Sequence, residues 1–114
     1  MKLLATSTLG FPRMGPKREL KFALEKYWKG ESDEATLLAT ARAVEKAGWD
    51  LQKQASIDVI TVGDHYLYDM VLTWCESLGL CPKRFQNLQP GLQRLFAMAR
   101  GIDGSEALSK SYKL

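Results

Sequence analysis

The chain has 114 residues, of which 46% are hydrophobic and 25% charged, and this ordinary globular composition excludes collagen, coiled-coil and disordered chains. The net charge of +3 is too small and too evenly spread to predict a nucleic-acid-binding protein. No apolar run approaches the roughly 18 residues of a membrane-spanning helix. The apolar segment at the start of the chain is too short for a signal peptide. We therefore expect one cytoplasmic domain, spanning residues 1–114 or forming part of a larger one, with neither nucleic acid nor membrane as partner.

The first predicted element is a buried strand. The segment from Leu3 to Leu9 is rich in apolar and β-branched residues, and Gly10 ends it. An amphipathic helix is predicted next, with Pro16 at its first helical position and Gly30 just after its end.

A long second helix and a second strand follow. Ser32 predicts the cap of this helix, whose apolar stripe runs from Leu37 to Ala55. Gly48 lies on that stripe, and we interpret it as a point of close approach by another element rather than a break in the helix. The Val and Ile residues between Ile57 and Asp64 predict a buried parallel strand.

Two further helices are predicted in the second half of the chain. One runs from about Tyr66 to Leu78, well buried and with Asp64 as its preferred cap, and the other from near Pro90 to Gly101. We assign the aromatic residues near the first of these helices, Trp74 among them, to the hydrophobic core.

This order of elements predicts an α/β fold. A strand, two helices and a strand describe a right-handed crossover with two parallel strands. We interpret the mostly helical β-α-α-β-α-α pattern as the opening portion of a (β/α)8 (TIM) barrel. Since two parallel strands do not make a sheet, the remainder of the barrel or another protein chain is expected to cover the exposed strand edges.

The two cysteines and the single histidine do not predict a metal site. Cys75 and Cys81 are six residues apart, which matches no standard zinc or redox motif, and His65 cannot complete a ligand set with them. We interpret the cysteines as buried, reduced thiols and expect no cofactor in this chain.

Basic side chains surround the start of the first predicted helix. Arg13, Lys17, Arg18 and Lys21 occupy a position where the helix dipole favours acidic residues. This placement costs a few tenths of a kcal/mol per residue unless an anion binds there. The cluster therefore indicates a polyanion site, and the alternative is a merely solvated basic face.

Several separated motifs resemble one known family in order and spacing. They are Leu9-Gly10-Phe11-Pro12-Arg13, Arg18-Glu19-Leu20-Lys21, Tyr27-Trp28, Trp49 with Gln52-Lys53-Gln54, Ile57-Asp58, Val62-Gly63-Asp64 and Tyr68-Asp69. Together they resemble the N-terminal domain of cobalamin-independent methionine synthase over nearly the whole chain.

The resemblance implies a large cytosolic methyltransferase of two (β/α)8 barrels. It would transfer a methyl group from 5-methyltetrahydrofolate polyglutamate to homocysteine and make methionine. The zinc that activates homocysteine belongs to the C-terminal barrel, whose ligands this chain lacks. The chain alone is therefore expected to be inactive, with no catalytic residue and no metal ligand of its own.

The resemblance also implies a substrate-binding segment. The residues equivalent to Arg18, Glu19, Leu20 and Lys21 line the polyglutamate tail of methylfolate in the family. A second tail contact in the family is a lysine within a Met-Thr-Lys-Trp-Phe motif, for which Lys110 is the nearest candidate here. The alternative function is that of a truncated, non-catalytic copy acting as a structural or interaction subunit of a larger assembly.

Overall fold

The computed structural model describes residues 4–102. The chain divides into two compact units, Met1–Leu67 and Tyr68–Leu114, which we call the first and second units. Across the described residues, no helix is long and apolar enough to cross a membrane.

The first unit is built on two packed helices, α1 (Glu19–Trp28) and α2 (Glu34–Gln54). Their shared core consists of Leu20, Leu24, Leu37 and Ala41, none of which is more than 5% exposed. The helix α2 begins at Glu34 because the Asp33 carboxylate accepts a hydrogen bond from the N–H of Thr36 at 2.8 Å. The cap is thus Asp33 and not its neighbour Ser32.

The predicted α/β fold is wrong for residues 4–102, which are helical and contain no strand. The two segments predicted as strands share one isolated parallel bridge, between Ser7 and Val59. Side chains form hydrogen bonds with backbone N–H groups that two paired strands would bond to each other. The Asp58 carboxylate, for example, accepts hydrogen bonds from both the N–H and the hydroxyl of Thr6, at 2.8 and 2.9 Å.

Burial explains why these segments do not form the predicted sheet. Their large apolar side chains are exposed: Leu4 by 82%, Leu9 by 105%, Val59 by 55% and Val62 by 70%. A parallel sheet is stable when apolar layers cover both of its faces, and a two-stranded pair gains too little from its hydrogen bonds alone. The two parallel strands and the barrel portion built on them are therefore not present in this part of the chain.

The second unit contains α3 (Met70–Ser77), a short 3₁₀ helix (Lys83–Phe85) and α4 (Leu92–Arg100). Phe85 and Met98 are almost completely buried and form its core with Ala97. The helix α4 ends immediately before Gly101, as the sequence predicts.

The helix α3 begins later and is less buried than predicted. It starts at Met70 because the Asp69 carboxylate accepts a hydrogen bond from the N–H of Leu72 at 2.9 Å. The capping role predicted for Asp64 is therefore wrong. No residue of α3 is fully buried, and Trp74, predicted as a core residue, is 57% exposed.

A largely buried ion pair joins α3 to α4, with the side chains of Arg94 and Glu76 9% and 15% exposed. The Nε and Nη2 atoms of Arg94 donate hydrogen bonds to the two carboxylate oxygens of Glu76, at 2.9 and 3.0 Å, and the N–H of Gly91 donates another at 2.6 Å. Burial alone would raise the pKa of Glu76, but these hydrogen bonds outweigh it and hold the pKa below its ordinary value. Glu76 therefore stays ionised and fixes the start of α4.

Candidate anion site at the start of the first helix

The backbone before α1 forms a turn with two left-handed residues. Gly15 has φ 84° and Arg18 has φ 59°, and the N–H of Arg18 donates a hydrogen bond to the Gly15 carbonyl at 3.0 Å. Left-handed backbone is easy for glycine but costs about 1–2 kcal/mol for other L-residues. Since Arg18 interrupts the helical backbone, α1 begins at Glu19 and not at Pro16.

Two hydrogen bonds hold the loop that leads into this turn. The Asp64 carboxylate accepts one from the N–H of Phe11 at 2.8 Å, and Nη1 of Arg13 donates one to the carbonyl of Tyr66 at 3.1 Å. The Arg13 guanidinium also lies 4.3 Å from the centre of the Tyr66 ring. Arg13 therefore anchors the loop, and we do not count it among the side chains offered to an anion.

Arg18 and Lys21 are the exposed cations of the predicted segment. They are three residues apart in the sequence, with Arg18 at the left-handed position just before α1 and Lys21 in the first turn of the helix. Lys21 pairs with Glu25 at 3.1 Å, but both side chains are more than 40% exposed. Such a surface pair contributes about 0–1 kcal/mol, so an anionic ligand can replace it.

Glu19 and Leu20, the other two residues of the predicted binding segment, make contacts within the chain. Leu20 is 0% exposed and belongs to the core. The Glu19 carboxylate accepts a hydrogen bond from the N–H of Lys17 at 3.0 Å. The N–H groups of Arg18 and Leu20 also donate within the chain, so the backbone at this helix start has few donors left for an anion.

Lys110, the predicted second contact to the tail, lies outside the described residues. Its role stays a prediction.

An apolar groove of about 600 Å³ adjoins the same turn. Its walls are the loop and α1 start, Phe11, Pro12, Gly15, Pro16 and Glu19, and the facing stripe of α2, Thr40, Ala43, Val44, Ala47, Gly48 and Leu51. A Cβ atom on Gly48 would lie 2.8 Å from Cδ1 of Phe11, which confirms the predicted close approach at this glycine. The sequence did not predict this groove, although the small residues along α2 are a signal for it.

His65 lies beside this loop in a small space that Phe11, Glu45 and Trp49 also line. Its Nε2 atom is buried and has no hydrogen-bond partner among the described residues. Burial lowers the pKa of His65, whereas the nearby carboxylates of Glu45 and Asp64 raise it by less. The imidazole is therefore mainly neutral at pH 7.

The sequence matches the family model described as "Cobalamin-independent synthase, N-terminal domain" over residues 5–112. Among curated proteins, it is 54% identical over 103 residues to the 5-methyltetrahydropteroyltriglutamate–homocysteine methyltransferase of Synechococcus sp. (strain JA-2-3B'a(2-13)). The proteins of the same name from Trichodesmium erythraeum and Nitrosomonas europaea are 48% and 51% identical over 105 and 107 residues.

These matches cover 90–92% of the chain but only 14% of each of the three relatives. The similarity therefore extends over nearly all of this sequence and over about one seventh of the matched proteins.

Proposed function

Because the chain belongs to the N-terminal domain family of cobalamin-independent synthase, we propose that it serves a methyltransferase that makes methionine, by holding the tail of the methyl donor. The names of the relatives give a triglutamate form of methyltetrahydrofolate as the donor and homocysteine as the acceptor. The segment of this chain suited to such a donor is the basic start of α1.

The observation that carries this proposal is the pair of exposed cations, Arg18 and Lys21. A triglutamate tail presents several carboxylates in a row. Arg18 can bind one of them through two parallel N–H···O bonds, and Lys21 offers a second, single-point charge. Exposed ion pairs contribute about 0.2–1 kcal/mol each, so we expect weak binding that depends on both residues.

A binding titration tests this proposal. The triglutamate and monoglutamate forms of 5-methyltetrahydrofolate are titrated into the chain and into the variants Arg18→Ala and Lys21→Ala. We expect the triglutamate form to bind more tightly, and each substitution to reduce that advantage while leaving monoglutamate binding unchanged. Arg42→Ala, which removes an exposed arginine from α2, is the matched control and should have no effect. Equal affinity for the two forms would contradict the proposal.

We propose no catalytic role for this chain. The described residues contain no group of three or more His, Cys, Asp or Glu side chains that could hold a metal ion. The resemblance assigns zinc and homocysteine to a C-terminal barrel, and we propose that residues there bind both. Cys75 and Cys81 are free, partly buried thiols.

We also propose that the protein acts in the cytoplasm.

A second candidate role is docking against a further polypeptide segment, of the same protein or of another. It is favoured by the exposed apolar side chains of residues 4–9 and 59–62 in the first unit. Two measurements on the chain in solution test this role: its molar mass and its binding of a hydrophobic dye. A chain that stays monomeric at high concentration and binds no hydrophobic dye would contradict this role.

A further inference from the structure

Glu19 is an acidic residue between the two cations of the proposed site. As a charge alone, it would repel a polyglutamate tail and weaken binding. Its carboxylate is engaged with the preceding turn, however, since its Oε2 atom accepts the hydrogen bond from the N–H of Lys17 at 3.0 Å. It also fills the space over Gly15, where an added Cβ atom would collide with it.

The turn that Glu19 closes contains the left-handed Arg18. A residue other than glycine holds this conformation only when its surroundings favour it, because the side chain clashes with its own backbone. The contacts that favour it here are the hydrogen bond from Arg18 N–H to Gly15 and the one from Lys17 N–H to Glu19. No other acidic side chain lies in the first turn of α1.

We propose that Glu19 is a positioning residue for the tail-binding site: by holding the turn, it sets the backbone from which Arg18 meets the tail. This inference rests on the proposed function. It replaces the direct substrate contact that the resemblance implies for Glu19 with an indirect role that acts through Lys17 and Arg18.

Two substitutions separate the charge of Glu19 from its hydrogen bond. Glu19→Gln removes the negative charge and keeps an oxygen that can accept the bond, whereas Glu19→Ala removes both. With 5-methyltetrahydropteroyltriglutamate as the probe, we expect Glu19→Ala to bind about fivefold more weakly, although a repelling charge is gone, because one net hydrogen bond is lost. Glu19→Gln should bind at least as tightly as the unaltered chain.

A second measurement reports on the turn without any ligand. The exchange of the Lys17 amide hydrogen with solvent, followed by NMR, should be slow in the unaltered chain and in Glu19→Gln, and faster in Glu19→Ala. Glu34→Ala is the matched control, because Glu34 opens α2 as Glu19 opens α1. This control should change neither the exchange rate nor the affinity.

The outcomes distinguish this inference from the function on which it rests. Equal tightening of binding in both Glu19 variants, or unchanged Lys17 exchange in Glu19→Ala, would overturn the positioning role alone. Failure of the unaltered chain to prefer the triglutamate form would overturn the proposed function, and the positioning role with it.

Discussion

Replacing Gly48 with alanine tests the close packing of the loop on α2. The new Cβ would lie 2.8 Å from Cδ1 and 3.3 Å from Cε1 of the Phe11 ring, and both distances are shorter than ordinary van der Waals contact. Gly48 itself is buried in the middle of α2. The substitution therefore brings a gain in helix propensity into competition with overpacking.

The magnitudes of the two effects decide the sign. Alanine is favoured over glycine inside a helix by about 1 kcal/mol. Overpacking a well-filled site costs about 1–3 kcal/mol, and the ring of Phe11, 36% exposed, can give way in part. We expect Gly48→Ala to lower the free energy of opening of the first unit by about 0–2 kcal/mol. With Phe11→Ala already present, the same substitution should raise it by about 1 kcal/mol.

Native-state hydrogen exchange of the α2 amides in the full chain measures these free energies for the first unit. The four variants form a double-mutant cycle with an expected coupling energy of about 1–3 kcal/mol. Ala39→Gly, at an exposed position of α2, is the control and should cost the same with or without Phe11. A coupling energy near zero for Gly48 would refute the packing that we describe.

The other predictions concern the pH dependence of the first unit, the ion pair of the second, and the strain at the turn. Because burial lowers the pKa of His65 below its ordinary value of 6.5, the unfolded chain takes up a proton first as the pH falls. The free energy of opening of the first unit should therefore decrease as the pH falls below 6.5, and a slope that survives in His65→Phe would disprove this cause. Asp50 forms an exposed ion pair with Lys46 on α2, which makes Asp50→Asn the control for the pair in the second unit. Glu76→Gln leaves the Arg94 guanidinium buried without its counter-charge, so it should destabilise the second unit, measured by exchange of the α4 amides, more than Asp50→Asn destabilises the first. Equal effects would contradict the role of the Glu76–Arg94 pair. Arg18→Gly should weaken triglutamate binding without lowering the stability of the first unit, because glycine relieves the left-handed strain. A loss of thermal stability as large as the loss of binding would argue against strain at this position.

The helices were more predictable than the strands. The apolar period places Leu20 and Leu24 in the core, and the small Gly48 correctly predicts a close contact. The Val and Ile residues from Ile57 onward do not form the predicted strand, because an apolar composition leads to a buried strand only where other elements cover it. What covers a segment depends on the fold in space, and here Val59 is more than half exposed.

The start of α1 was only partly predictable. Its basic charge can be read directly from the sequence, and the helical period agrees with the buried position of Leu20. The left-handed backbone of Arg18 has no such signal, because residues other than glycine adopt it rarely and only under local constraint. The hydrogen bond from the N–H of Lys17 to Glu19 closes that turn, and the sequence gives no sign of it either.

The central claim, that the start of α1 holds a polyanionic tail, is tested most directly by mapping where the tail binds. Triglutamate alone is titrated into the isotope-labelled chain, and the NMR shifts of backbone amides and of the Arg18 side-chain Nε–H are followed. We predict that the largest shifts occur at residues 17–21, that they saturate, and that Arg18→Ala removes them. Saturable shifts centred on another part of the chain, or shifts at residues 17–21 that persist in Arg18→Ala, would contradict the account.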